Sequence, residues 1–385
     1  MPTILRSLGL LASCLFCVSA VFAQTDPPPP DPHEMVTHEP RTLTKPADRS
    51  GALDLLDRAR KNYDLHGISA PYALKVSFET NGTAETEGEG RMEELSDAGS
   101  HWRWTAQMRD VHVMRVGDNN HVYGTNPSES IPLRVQMVRS ALLRPISRDL
   151  GAAAIRAADV ERDGKAISCL LLSRAIPPNP APRAWVEVEY CVDPATGLLQ
   201  MWSEAPGIYA VYDYNDAAEF HGHTFPRQIS IFEDGRLAVQ AHVESLEDAP
   251  SIDPNLFKPT PEMVAGGSFT LAAPNRFPMR VDPSNAPTST FFQPVIVHAI
   301  LDAQDGSVLD AEALQNSDQD LSRSAIDLVR NTAFDPTGFQ QEAFINVQFH
   351  FPAVTLGGPP IFHSSVRWVV LDHPVGNRKV HRPRH

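Results

Sequence analysis

Imidazoles and thiols are the side chains of this chain best suited to chemistry, and their spacing decides whether they can act together. His221-Gly222-His223 puts two imidazoles on one side of a strand, half of a divalent-metal site. No spaced Cys, His or Glu motif supplies a third ligand, so the segment reads as an exposed turn. His101, His112 and His121 fall in adjacent expected strands, where a common register would gather them. Gly266-Gly-Ser-Phe269 and Gly357-Gly-Pro-Pro360 lack the strand-to-helix setting of a phosphate loop or a nucleophile elbow. Glu187 and Glu189 alternate with apolar residues and read as a solvated strand face rather than an acid and base pair. A nucleophile, a base and an orienting group cannot be assembled from these spacings. The expectation is a binding protein and not an enzyme, with no catalytic residue, no metal ligand and no cofactor.

The cysteines are read through the compartment. Met1–Arg6 is a short basic segment, Ser7–Phe22 is mostly apolar, and Val21-Phe-Ala23 fits a small-residue cleavage site. This is a signal peptide over residues 1–23 that sends the chain to the periplasm or cell envelope. Two alternatives stay open: a lipoprotein box at Leu11-Ala-Ser-Cys14, and an uncleaved anchor. Cleavage leaves Cys169 and Cys191 of the four cysteines, in neighbouring expected strands. An oxidising compartment favours a disulfide between them, two buried thiols being the other reading.

Composition narrows the partners. The 385 residues, 42% hydrophobic and 21% charged, are globular values and enough for two or three domains. A net charge of −14 argues against a nucleic-acid partner, whose phosphates require excess Lys and Arg.

The elements follow from periodicity. Residues 24–50 form a Pro-rich leader. Ser50 stands where it could cap a helix over Ala52–Leu65, with Leu53, Leu56, Arg60 and Tyr63 on its stripe. Tyr72–Thr80 alternates as a strand, Thr83–Leu95 is a more polar strand suited to an edge, and short strands follow through Gly124. Ile131–Leu143 has helical spacing and could lie across the sheet. From Ala184 to Leu246 four alternating segments read as an antiparallel meander, with hairpins at Asp193-Pro-Ala-Thr-Gly197 and Glu233-Asp-Gly235. Asp253-Pro-Asn-Leu-Phe257 closes the unit with an apolar anchor. After a Pro-, Gly- and Ser-rich linker, Gln293 opens a strand, strand, helix, strand unit, and His363–Asp372 adds a further strand. The fold class is mainly β with α+β. A curved antiparallel half-barrel with a covering helix (51–259) is followed by a linker (260–292), a small ββαβ domain (293–356), and a terminal strand and basic tail (357–385).

Two resemblances rest on these segments. Pro294–Phe351, with its turn at Asp305-Gly306, the helix carrying Leu321, Ser324 and Ala325, and Ala333-Phe-Asp-Pro336, resembles the C-terminal domain of TonB-type energy transducers. The resemblance implies docking of an envelope protein by strand addition to an edge at Ala343, Ile345, Val347, Phe349 and Phe351. It also carries the alternative that the chain is itself an energy transducer with a retained N-terminal anchor. Gly51–Pro259, with Tyr212-Asp-Tyr214, Phe220-His-Gly222, Phe225-Pro226 and Leu256-Phe257, resembles in layout the periplasmic lipoprotein carriers of the LolA and LolB kind. That implies an apolar or lipid-like ligand on the concave face. The residues that would line it are Val76, Phe78, Trp102, Trp104, Val188, Tyr190, Trp202, Tyr212 and Ile231. The other reading of those nine is an ordinary core.

Overall fold

The structure is a computed structural model that describes residues 40–65, 68–82, 87–98, 101–117, 121–125, 131–147, 150, 154–173, 187–205, 208–233, 235–265, 295–302, 305–314, 319–332, 334, 343–350 and 363–369. The segment expected to be a signal peptide, nearly all of the expected leader, the proline-rich segment 174–186, most of the expected linker and the basic tail lie outside these residues, as does Phe351.

In chain order the first unit contains β1 (Arg41–Thr42), α1 (Pro46–Tyr63), β2 (Tyr72–Thr80), β3 (Gly88–Ser96), β4 (Trp102–Met108), β5 (Val111–Gly117), β6 (Val122–Gly124) and α2 (Leu133–Leu143). It continues with β7 (Ala154–Arg162), β8 (Lys165–Ser173), β9 (Val188–Val192), β10 (Leu199–Ala205), β11 (Ile208–Asp213), β12 (Ala218–Phe220) and β13 (His223–Phe225). Last come β14 (Gln228–Glu233), β15 (Arg236–Asp248) and β16 (Val264–Ala265). All but β12 and β13 join one fourteen-stranded sheet, ordered β1-β7-β8-β9-β10-β11-β14-β15-β2-β3-β4-β5-β6-β16, whose two ends do not meet. Every pairing in it is antiparallel, as hairpin connections produce. The sheet takes in Arg41–Thr42 and Val264–Ala265, so it reaches beyond the expected bounds 51–259 at both ends.

Turn chemistry sets the joints of the expected meander. Asp193 Oδ1 accepts from the amides of Ala195 and Thr196, and Gly197 takes φ +76° to finish the turn into β10. Gly235 does the same between β14 and β15 at φ +74°. Asp253 caps a short 3₁₀ turn over Pro254–Phe257, which buries Phe257 as the expected anchor.

Three expectations are corrected here. The first helix begins at Pro46 and carries Ser50 inside it, because proline at the first position fixes the helical φ and has no N–H to leave unpaired. Its buried residues are Ala52, Leu55, Leu56, Ala59 and Tyr63, while Leu53 faces outward. The polar strand β3 is not an edge: it runs between β2 and β4, paired to both from Gly90 to Ser96, and Glu94 is buried there. Glu187 and Glu189 are buried rather than solvated, because this limb of the sheet is covered on both faces.

The second unit contains β17 (Val295–Leu301), β18 (Val308–Leu314), α3 (Gln319–Arg330), β19 (Ala343–His350) and β20 (His363–Val369). Its sheet has the order β18-β17-β19-β20, and α3 packs on β17 and β18. Val297, Ala299, Leu301, Ala325, Val329 and Phe334 are buried. The expected docking edge is overturned: Ile345, Val347 and Phe349 are paired to β17 on one side and β20 on the other, and Ala343 is paired to β17, so β19 is an interior strand. The strand expected at His363 took the edge. Among the described residues no helix is long and apolar enough to cross a membrane.

Candidate functional site

The inner face of the large sheet is built from the alternate residues of its strands. Tyr72, Leu74, Val76 and Phe78 of β2, then Trp102 and Trp104 of β4, lie on one limb. Tyr190 of β9, Trp202 of β10, Tyr212 of β11 and Ile231 of β14 lie on the other. The structure brings eight of the nine expected lining residues into a single apolar cluster, and half-buried Val188 packs against it. None of the eight is open to solvent.

Two glycines let the rings lie flat against the sheet. A Cβ on Gly90 would meet the Phe78 ring at 2.1 Å, and one on Gly117 would meet the Trp102 indole at 2.5 Å. Glycine inside a strand marks such a close approach.

What fills the concavity is α2. All 11 of its residues are buried, including Arg134, Gln136, Arg139 and Ser140. A buried charge needs a partner, and both arginines have a carboxylate from the sheet wall. Arg134 makes a bidentate pair with Glu233 of β14, its Nη2 donating to Oε2 at 2.8 Å. Arg139 Nε donates to Glu94 Oε2 of β3 at 3.0 Å. Its guanidinium also lies over the rings of Trp102 and Trp104, 4.9 and 4.7 Å from their centroids. Tyr212 Oη donates to the Ala141 carbonyl at 3.0 Å, satisfying one of the last carbonyls of the helix. The helix is thus tied to both limbs by polar contacts.

Sequence reasoning missed Arg134, Arg139, Glu94 and Glu233. The available signal was two arginines within an otherwise apolar helical run and a carboxylate at an inward position of β3.

Burial governs the phenols around the helix. It holds Tyr72 well above its ordinary value, with the Glu94 charge adding to the effect. Burial does the same to Tyr212, with a smaller push from Tyr190, and to Tyr214. Tyr214 Oη donates to the Leu199 carbonyl at 2.7 Å and meets the hydroxyl of Tyr63 from α1. Tyr63 in turn stands edge-on to Tyr212.

The opposite face carries the cysteines. Cys169 and Cys191 sit directly across β8 and β9 and form a disulfide, so the pairing reading holds over two thiols. Around them pack Ile167, Met201, Tyr209 and Phe232, the last two rings stacked at 5.0 Å. Glu187 forms a buried pair with Arg156 at 2.6 Å. Cys169, Cys191 and Glu189 are the one cluster of three possible metal donors among the described residues, and the two sulfurs are bonded to each other.

The histidines do not assemble. His221 is in an exposed turn, 2.6 Å from Asp248, and His223 Nδ1 faces the Asn62 carbonyl. His101 pairs with Asp97 at 2.7 Å, just before β4, whereas His112 is opposite Gln107 at the far end of that hairpin. His121 lies beside Tyr123, and none of these histidines joins a three-donor cluster among the described residues.

No protein-family model matches this chain, and no curated protein does. Among solved structures it is similar to a LolA-superfamily protein from Nitrosomonas europaea, with 13% identity and a TM-score of 0.35 over 54% of this chain and 97% of the other. It is similar to a putative outer-membrane lipoprotein-sorting protein domain from Vibrio parahaemolyticus, with 11% identity and a TM-score of 0.33 over 53% and 95%. It is similar, too, to MucB in the MucA/MucB complex of Pseudomonas aeruginosa, with 11% identity and a TM-score of 0.27 over 82% and 92%.

Proposed function

We propose that this protein is an exported, non-enzymatic binding protein of the cell envelope that holds an apolar or lipid-like ligand against the inner face of its open sheet. The observation that supports this is the fully buried helix α2, which occupies the concavity through two Arg–Glu pairs and one tyrosine hydroxyl. The same helix packs Leu133, Val135, Met137, Val138, Ala141, Leu142 and Leu143 into the core, so its apolar side stands where the hydrocarbon of a ligand would lie. Once α2 moves, the exposed walls are the indoles, phenols and aliphatic side chains of β2, β4, β9, β10, β11 and β14, a surface suited to acyl chains, with the Glu94 and Glu233 carboxylates among them.

The second unit is, in this proposal, a TonB-like module that docks an envelope partner by strand addition. Its acceptor is the outer side of β20, which has no neighbour among the described residues. The other edge strand, β18, is partly closed, since Arg330 of α3 donates to its Ala311 carbonyl at 3.2 Å. Photocrosslinker placed at Ser365 is expected to give adducts in the intact envelope, and the same group at Asp310 none.

Organic extraction of protein purified from its exported form, followed by mass spectrometry, tests the carrier reading. Recovery of an acylated compound is the expected result. A protein that yields none and also fails to bind the uncharged fluorophore N-phenyl-1-naphthylamine would remove its basis.

A further inference from the structure

Ile300 is the residue of β17 that does not serve its own unit. Val297, Ala299 and Leu301 alternate along one side of that strand and are buried, in the sheet on which α3 packs. Ile300 lies on the other side, yet it is only 4% exposed. A sheet with a helix on one face leaves its opposite face to water unless something else packs there. What packs on Ile300 is the first unit: among the described residues it is the one buried side chain of the second unit that belongs to the apolar cluster of the large sheet.

A register shift adds a second contact. Ile300 is opposite Asp310 and Leu301 is opposite Val308, so β18 carries one residue more than β17 at that point, and the extra residue is Leu309. A bulge of this kind re-aims a side chain. Leu309, half-buried, packs against the same first-unit cluster as Ile300.

That cluster is the one that lines the concavity and seats α2: Trp102, Trp104, Trp202 and Tyr212 belong to it, with Leu133 and Leu142 of the helix. Ile300 therefore contributes to the packing that closes the inner face, from beyond residues 266–294 in the chain. A contact made only in the closed form lowers the population of the open one, and with it the apparent affinity for a ligand that needs the open form.

Resting on the carrier reading above, we infer that the second unit regulates the first: seated through Ile300 and Leu309, it holds the concavity shut, and its departure lets α2 move and the ligand enter.

Two measurements on the full chain test this. A benzophenone photocrosslinker at Leu309 is expected to join the second unit to a tryptic peptide from residues 40–265 of the same molecule. Crosslinks confined to the second unit overturn the inference. Binding of N-phenyl-1-naphthylamine is then compared among wild type, Ile300→Ala and Leu309→Ala. Ile300→Ala is expected to bind the probe about tenfold more tightly, the factor that corresponds to losing most of a buried isoleucine side chain, and Leu309→Ala to gain less. A cooperative thermal melt shows that a variant is folded. Where Ile300→Ala is not, Ile300→Val takes its place, with a gain of about threefold expected. Equal or weaker binding by folded variants overturns the inference while the carrier reading stands. Absence of binding by wild type and variants alike removes the carrier reading, and the regulation inferred from it falls too.

Discussion

Arg139 of α2 and Glu94 of β3 are joined by a 3.0 Å hydrogen bond inside the core, where the residues are 6% and 0% exposed. The pair links a helix to the polar strand that sequence periodicity would place at the rim. Removing one partner leaves the other charge buried and unmatched, at a cost of about 3–5 kcal/mol. Glu94→Leu and Arg139→Leu are each expected to lower urea stability by that order. The double variant should lose less than the sum, and strict additivity in the cycle would show that the two side chains do not act as a unit.

Gly90 and Gly117 are expected to resist any side chain. Gly90→Ala forces the Phe78 ring off the sheet, with a cost of about 1–3 kcal/mol, as overpacking does. Combining it with Phe78→Leu should recover part of the loss in a thermal melt. No interaction between the two changes would mean the ring does not lie over that glycine.

Tyr72, Tyr212 and Tyr214 set an alkaline limit. Their folded-state values are raised, first by burial, so below the ordinary phenol value near 10 both folded and unfolded chains keep these protons and stability is complete. Above it the unfolded chain ionises while the folded one resists, and stability falls as pH rises toward the folded values. Phenolate absorbance of these three should therefore appear together with the loss of far-ultraviolet dichroism. Ionisation of all three in protein that is still folded would contradict their burial.

The Cys169–Cys191 bridge closes a separation of 22 residues between two adjacent strands. The chain-entropy relation gives about 3 kcal/mol for a loop of that size. Replacing both cysteines by alanine should lower the urea midpoint accordingly while keeping the probe bound, because the bridge is on the face opposite the indoles. Loss of probe binding in a folded double variant would argue that the two faces are coupled.

Strand alternation and turn residues were legible in the chain before any coordinates: Tyr72 to Phe78, the Asp193 and Gly235 turns, the helical run before Leu143 and the neighbouring cysteines all carry local signatures. Those patterns depend on a residue and its near neighbours, since period and backbone preference act over a few positions. The partners of buried charges were not legible. Glu94 and Arg139 are 45 residues apart, and Arg134 and Glu233 are 99 apart, so only the packing of α2 on the sheet brings them together. Glu187 and Glu189 misled for the same reason, because alternation shows which residues share a face and not whether that face is later covered. Nor could the chain reveal that β19 would be interior, because an edge is defined by the absence of a neighbour, and β20 arrives from beyond it in sequence. Local sequence therefore determined the strands and their inward sides, while tertiary folding alone decided which polar groups those sides met.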